Sequence, residues 1–308
     1  MNTHLKIGLA LGSGSSRGWS HIGIIKELSN LGIKPGIVCG TSVGAMVGAA
    51  YVAGNIEKLE SWARSVTKFD VARFLDINTS FTGFVNTERF HDFLNENIAS
   101  DEDVIEDLSK VYAAISTDLE SGKEVWLQRG SVVQAVWSSM ALPGLFPAIR
   151  HNNQWLVDGG LVNPVPVSVC RALGADIVIA VNLNGDIVGK RFHKTVMKKN
   201  GIEAVSEKIS ELVKEYTNLP LFEPDNIEQP PSLLDAIAAS VNITQDRITR
   251  SRLAGEPPDM VLSPKLSDIG LLELYRADEA IEEGKKCVKR MIPEIEHILD
   301  RAGHGKSV

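Results

Sequence analysis

Gly40-Thr-Ser42-Val-Gly44 places a serine between two glycines, each two residues away, where a short apolar run, Ile37-Val-Cys39, meets the small-residue stretch Ala45 to Ala53. A nucleophile elbow needs this junction. The chain turns sharply from strand to helix, the glycines leave room for the closing backbone, and the hydroxyl stands at a helix N-terminus. The chemistry implied is attack of a serine oxygen on an acyl carbon. The pattern also arises by chance, and Gly14-Ser-Ser16-Arg-Gly18 matches it a second time. That match lies inside a longer Gly/Ser loop and puts bulky Arg17 where close packing is required, which favours Ser42. An ordinary strand-to-helix turn at Ser42 is the competing reading.

Gly12-Ser13-Gly14-Ser15 follows the first apolar run, and its small residues let backbone N–H groups converge on an anion at the start of the next helix. In acyl transfer that anion is the tetrahedral oxyanion, and each preorganised donor is worth about 3 kcal/mol in the transition state. Gly12, Gly14 and Gly18 also suit a dinucleotide loop, but the tip of the second strand carries Gly40-Thr-Ser where a ribose-binding acid would stand. A base is needed beside the serine. None of the seven histidines stands in a catalytic motif, and His21, early in the first helix, reads as hydrogen-bonded structure near the loop. Asp158 ends the apolar run Trp155-Leu-Val and precedes Gly159-Gly160, so its carboxylate belongs on a tight turn at a sheet edge. Capping of that turn is the alternative role. An unperturbed aspartate, with a pKa of about 3.9, is a poor base, so a Ser–Asp pair requires desolvation or a short hydrogen bond.

The elements that must hold these residues follow from periodicity. Residues 6–11 predict a buried strand; Ile22, Ile25, Leu28 and Leu31 predict a helix that Gly32 stops; residues 37–39 predict a second strand and 45–53 a helix. This β-loop-α-β-turn-α order implies parallel pairing and an α/β fold. Residues 55–110 read as helical, with Asn86 or Thr87 as a cap. Strands follow at 111–115 and 124–127, a short helix at 131–137, a proline-bounded loop at 138–147 and a strand at 155–158. A helix over 164–173 and a strand over 176–183 come next. Residues 184–231 are lysine-rich and proline-punctuated, which predicts a mobile flap holding one helix near 203–216. A helix at 232–253, a strand at 260–262 and a last helix over 272–299 complete one domain spanning residues 5–300.

Composition excludes several function classes. The 308 residues are 44% hydrophobic and 23% charged, enough for one large core, and the net charge of -7 offers no basic face for nucleic acid. Three widely spaced cysteines in apolar surroundings predict reduced thiols rather than disulfides, and no His/Asp/Glu cluster has metal-ligand spacing. No apolar run approaches the roughly 20 residues of a membrane span. The expectation is a cytoplasmic protein, without cofactor or metal, that meets membranes only at their surface.

Gly12-Ser-Gly-Ser-Ser-Arg-Gly-Trp-Ser-His21, Gly40-Thr-Ser-Val-Gly44, Ser139-Met-Ala-Leu-Pro143 and Asp158-Gly-Gly160 occur in the order and spacing of the patatin-like phospholipases. The chain resembles the bacterial RssA-type branch, related to the catalytic domain of neuropathy target esterase. The resemblance runs from about Lys6 to Leu183. It implies a three-layer α/β/α sandwich with a mostly parallel sheet and hydrolysis of phospholipid, lysophospholipid or other fatty-acyl esters. It carries over Ser42 as nucleophile, Asp158 as base, and Gly12, Ser13, Gly14 and Ser15 as oxyanion loop, supported by Arg17, Gly40, Gly44, Gly159 and Gly160. Ser13 and Ser15 stand where that loop is usually glycine, which leaves open which N–H groups point inward. A weakly active scaffold on the same fold, or a nucleotide-binding protein, are the alternatives from other classes.

Overall fold

The first strand, β1 (Ile7–Leu11), pairs in parallel with β2 (Ile37–Thr41) on one side and β7 (Ile177–Val181) on the other. The computed structural model describes residues 5–74, 85–185 and 233–304. The expected flap, with its helix near 203–216, lies outside the described residues from position 186 onward, as do residues 75–84 of the expected helical stretch. The sheet continues through β3 (Val111–Asp118), parallel to β2, and β8 (Met260–Leu262), parallel to β7. Three antiparallel strands, β4 (Glu124–Leu127), β5 (Ile149–His151) and β6 (Gln154–Asp158), complete the order β5-β6-β3-β2-β1-β7-β8, with β4 on β3. The sheet is therefore mixed and mostly parallel.

Side chains alternate between its two faces, as the pleat requires. Leu9, Leu11, Val38, Tyr112, Ala114, Ile179 and Val181 enter one buried cluster. Ala10, Ile37, Cys39, Ala113, Ile115, Val178 and Ala180 enter another on the opposite face. The first is covered by α1 (Ser20–Asn30), α2 (Val43–Val52), α6 (Val132–Met140) and α9 (Ala277–Arg290), the second by α7 (Val167–Ala172). Helices on both faces of a largely parallel sheet give an α/β sandwich in which the strands are buried twice over. Around the first face lie α3 (Ile56–Ser65), α4 (Lys68–Phe74) and α5 (Thr87–Asn97), the last capped by Asn86, whose side chain accepts from the Arg89 N–H. The long α8 (Leu233–Gly255) follows the undescribed stretch.

The structure corrects two expected elements. The 138–147 loop begins only after α6 ends at Met140, and a short strand at Ile149–His151 pairs with β6. The single last helix over 272–299 is two, α9 and α10 (Ile292–His304), broken at Met291. Pro293 has no N–H to continue the ladder and sits in the first turn of α10, where none is needed.

Candidate active site

Ser42 occupies the turn between β2 and α2 with φ 57 and ψ -124, a backbone that a residue with a side chain adopts at a cost of about 1–3 kcal/mol. The flanking glycines make the turn possible. A Cβ on Gly40 would overlap the Gly44 carbonyl, and one on Gly44 would overlap the carbonyl of Leu11. The Ser42 N–H donates to Ser139 Oγ at 2.8 Å, and that hydroxyl donates in turn to the Ile115 carbonyl, tying the elbow to α6 and β3. Ser16, the serine of the second G-x-S-x-G, is fully buried and donates to the Gly270 carbonyl.

Sheet register brings the carboxylate to the serine. One edge of β3 pairs with β2 as far as Thr41 opposite Ile115, and the next β3 residue, Ser116, pairs with Asp158 of antiparallel β6. β4 occupies the other edge. Ser42 and Asp158, 116 residues apart, thus emerge side by side, and Ser42 Oγ donates to Asp158 Oδ2 at 2.6 Å. The Gly160 N–H donates to Oδ1 at 2.7 Å. Asp158 is 2% exposed. Burial pushes its pKa up to about 6, because desolvation penalises the carboxylate more than the Ser42 and Gly160 hydrogen bonds favour it. If Asp158 accepts the Ser42 proton, kcat/KM for a soluble ester will fall to half its plateau near pH 6 and tenfold per unit below that. A profile flat from pH 4.5 to 8 would exclude it as the base.

The glycine-rich loop divides into two parts. The Gly12 N–H donates to the Val181 carbonyl at 3.1 Å and the Ser13 N–H to the Pro164 carbonyl at 2.9 Å, extending the backbone network beyond β1. These two donors are consumed, which corrects the expectation that Gly12 and Ser13 offer theirs to an oxyanion. Gly14 and Ser15 border the same cavity as Ser42 and Asp158. Arg17, 1% exposed, donates from Nε to the Gly14 carbonyl at 3.1 Å, and its backbone N–H reaches the same oxygen at 3.3 Å. A trans peptide points its N–H opposite its C=O, so pinning the Gly14 carbonyl to Arg17 turns the Ser15 N–H the other way. Ser15 holds φ 51, a second strained non-glycine backbone beside Ser42. His21 is buried, shares a 2.8 Å hydrogen bond between its Nε2 and the Gly12 carbonyl, and is pushed down to about 4 by burial, so it is a neutral brace for the loop.

Behind Ser42 opens a narrow cavity of about 130 Å³, lined chiefly by apolar side chains, most of them outside the motifs. Trp62 of α3 packs tilted against Phe93 of α5 with ring centroids 4.1 Å apart, and the ring centroids of Phe90 and Phe146 are 4.8 Å apart. Trp19, Met46, Phe74 and Met140 fill in between. Sequence reading placed α8 correctly, at 232–253 against the observed Leu233–Gly255, but missed its inward polar face, where Asn242, Gln245, Asp246 and Thr249 are buried at helical spacing. A polar stripe of that period was the available signal. Among the described residues, no group of three His, Cys, Asp or Glu side chains is placed to hold a metal ion, and no helix is long and apolar enough to cross a membrane.

With this geometry in hand, known proteins supply the context. A family model described as patatin-like phospholipase matches residues 9–171, over half the chain, from β1 to α7. An "uncharacterized NTE family protein" of Mycobacterium tuberculosis is 28% identical over 334 aligned positions, covering 94% of this chain and 92% of its own. Lysophospholipase NTE1 of Pyricularia oryzae is 28% identical over 91% of this chain, and patatin-like phospholipase domain-containing protein 6 of Homo sapiens is 32% identical over 58% of it. The chain matches only 18% and 13% of those two longer proteins. The chain belongs to the patatin-like phospholipase family, a family of lipid ester hydrolases.

Proposed function

We propose that the protein cleaves the fatty-acyl ester of a phospholipid or lysophospholipid with a Ser42–Asp158 dyad. The observation that carries this reading is the 2.6 Å hydrogen bond from Ser42 Oγ to a buried carboxylate at the mouth of an apolar cavity. Asp158, its pKa raised towards neutrality, takes the Ser42 proton as Oγ adds to the carbonyl carbon. The N–H groups of Gly14 and Ser15 receive the developing oxyanion, and Asp158 returns its proton to the departing alcohol. Water then attacks the acyl-serine as Asp158 accepts its proton, and Asp158 passes that proton to Ser42 Oγ as the acyl–oxygen bond breaks, releasing the fatty acid and restoring the dyad. The acyl chain occupies the aromatic-lined cavity.

Access from a lipid surface fits α4. Val71 and Phe74 of this helix line the cavity, while Phe69 is 70% exposed with the Arg73 guanidinium 5.5 Å from its ring centroid. An apolar ring beside a cation suits brief contact with a headgroup layer.

Treatment with a fluorophosphonate followed by mapping of the adduct tests the dyad directly. Phosphonylation of Ser42 at pH 8, slowed at pH 5 as Asp158 protonates, is the expected result. A folded protein that takes up no label, or takes it on another serine, would leave the scaffold reading in its place.

A further inference from the structure

The buried polar face of α8 raises an accounting question, because polar groups removed from water are destabilising unless bonded. Asn242 Oδ1 accepts from Arg17 at 2.9 Å, and Asp246 Oδ2 accepts from Arg250 at 2.8 Å. Gln245 is different: of these side chains it alone lines the cavity together with Ser42 and Asp158. Its Oε1 accepts twice, from Ser13 Oγ at 2.9 Å and from Asn184 Nδ2 at 3.1 Å. With that oxygen occupied, Nε2 takes the other branch of the amide and packs against Gly160. A Cβ at position 160 would overlap Nε2 and come 2.9 Å from Asp158 Oδ1. The amide therefore touches the oxyanion loop at one end and the turn carrying the carboxylate at the other.

We infer that Gln245 is a positioning residue for the dyad, holding the Gly12–Ser15 loop and the Asp158–Gly160 turn at a fixed separation from across the cavity. It reaches the site from α8, outside the stretch shared with the family model, so the loop and the turn are clamped by a third segment far along the chain. This rests on the Ser42–Asp158 reading. Its weight comes from geometry: a displacement of about 1 Å between a nucleophile and its oxyanion donors costs up to roughly a hundredfold in rate.

Two variants with opposite demands test it. Gln245→Met keeps length and bulk but loses the bonds to Ser13 and Asn184; kcat on a soluble short-chain ester will fall about ten- to a hundredfold with KM within twofold. Gln245→Glu keeps an acceptor for Ser13 and Asn184 while setting a second carboxylate next to Asp158. Among the described residues no charged side chain contributes to the shift at Asp158, which burial, Ser42 and Gly160 set; Asp246 and Arg252 on the same helix are engaged with Arg250 and Glu124. The acid limb of kcat will therefore move up by about one pH unit in Gln245→Glu and stay in place in Gln245→Met. Thermal unfolding of each variant separates rate from folding. Normal kcat in folded Gln245→Met, or an unmoved acid limb in folded Gln245→Glu, overturns the assignment while leaving the dyad intact. A wild type that turns over no ester sinks both.

Discussion

Asp158→Asn will leave a folded protein about 10³–10⁴-fold slower in ester hydrolysis and, above pH 7, more resistant to heat than the wild type. The two halves have one cause. The amide can still accept from the Gly160 N–H and meet Ser42 Oγ, so the turn keeps both of its bonds, but it cannot take a proton. The stability gain follows from linkage. The pKa of Asp158 is raised from 3.8 in the unfolded reference to about 6 in the fold. Its contribution to stability is thus fully present below pH 3.8 and lost as pH rises through 6. Above that, burying the charge costs about 3 kcal/mol, which the asparagine variant does not incur. Unfolding midpoints of both proteins from pH 4 to 8 should separate as pH rises. Curves that run parallel, or a variant less stable at pH 8, would mean that the carboxylate is not desolvated as described.

Ser42 yields the second large effect, and again activity and stability part company. Ser42→Ala and Ser42→Gly both remove the proposed nucleophile, and hydrolysis should fall at least roughly 10⁴-fold in each. Their stabilities should differ in an unusual order. Alanine retains a Cβ at φ 57, whereas glycine takes that backbone without strain, so Ser42→Gly should be the more stable of the two by about 1 kcal/mol. At most other positions in strands and helices alanine wins. Chemical denaturation of the pair decides it, and alanine being equal or better would show that the elbow is not strained.

How far the sequence reveals this site depends on how local each feature is. Ser42 was legible because its demands are met within five residues: a strand, two glycines and a helix start. Asp158 was legible for the same reason, a strand end followed by two glycines, although its contact with Ser42 depends on β3 and is visible only in the sheet. The glycine-rich loop was half legible. Gly12 and Ser13 look as suitable as Gly14 and Ser15, and what separates them is carbonyls at Val181 and Pro164, more than 150 residues away. Gln245 was signalled only by the polar stripe of α8, and the cavity aromatics were opaque. A tryptophan in α3 and phenylalanines in α5 carry only the helical period of ordinary core residues, and which face they present is decided by packing. Pro293 shows the reverse: the break in the final helix was written locally and overlooked beneath a strong periodic pattern.

One strand edge shared by β2 and β6 has a consequence for tolerance to change. Because pleated side chains alternate with a period of two, sliding β6 by one residue along β3 would present Val157 where Asp158 belongs and send the carboxylate to the opposite face. The site responds to register as a parity device. Insertions that β6 absorbs in whole pleats or in its flanking turns can spare the chemistry, whereas a single-step slip removes it outright. Variation in the β5–β6 hairpin is therefore filtered all-or-none, and no smooth series of intermediate activities connects one register to the next.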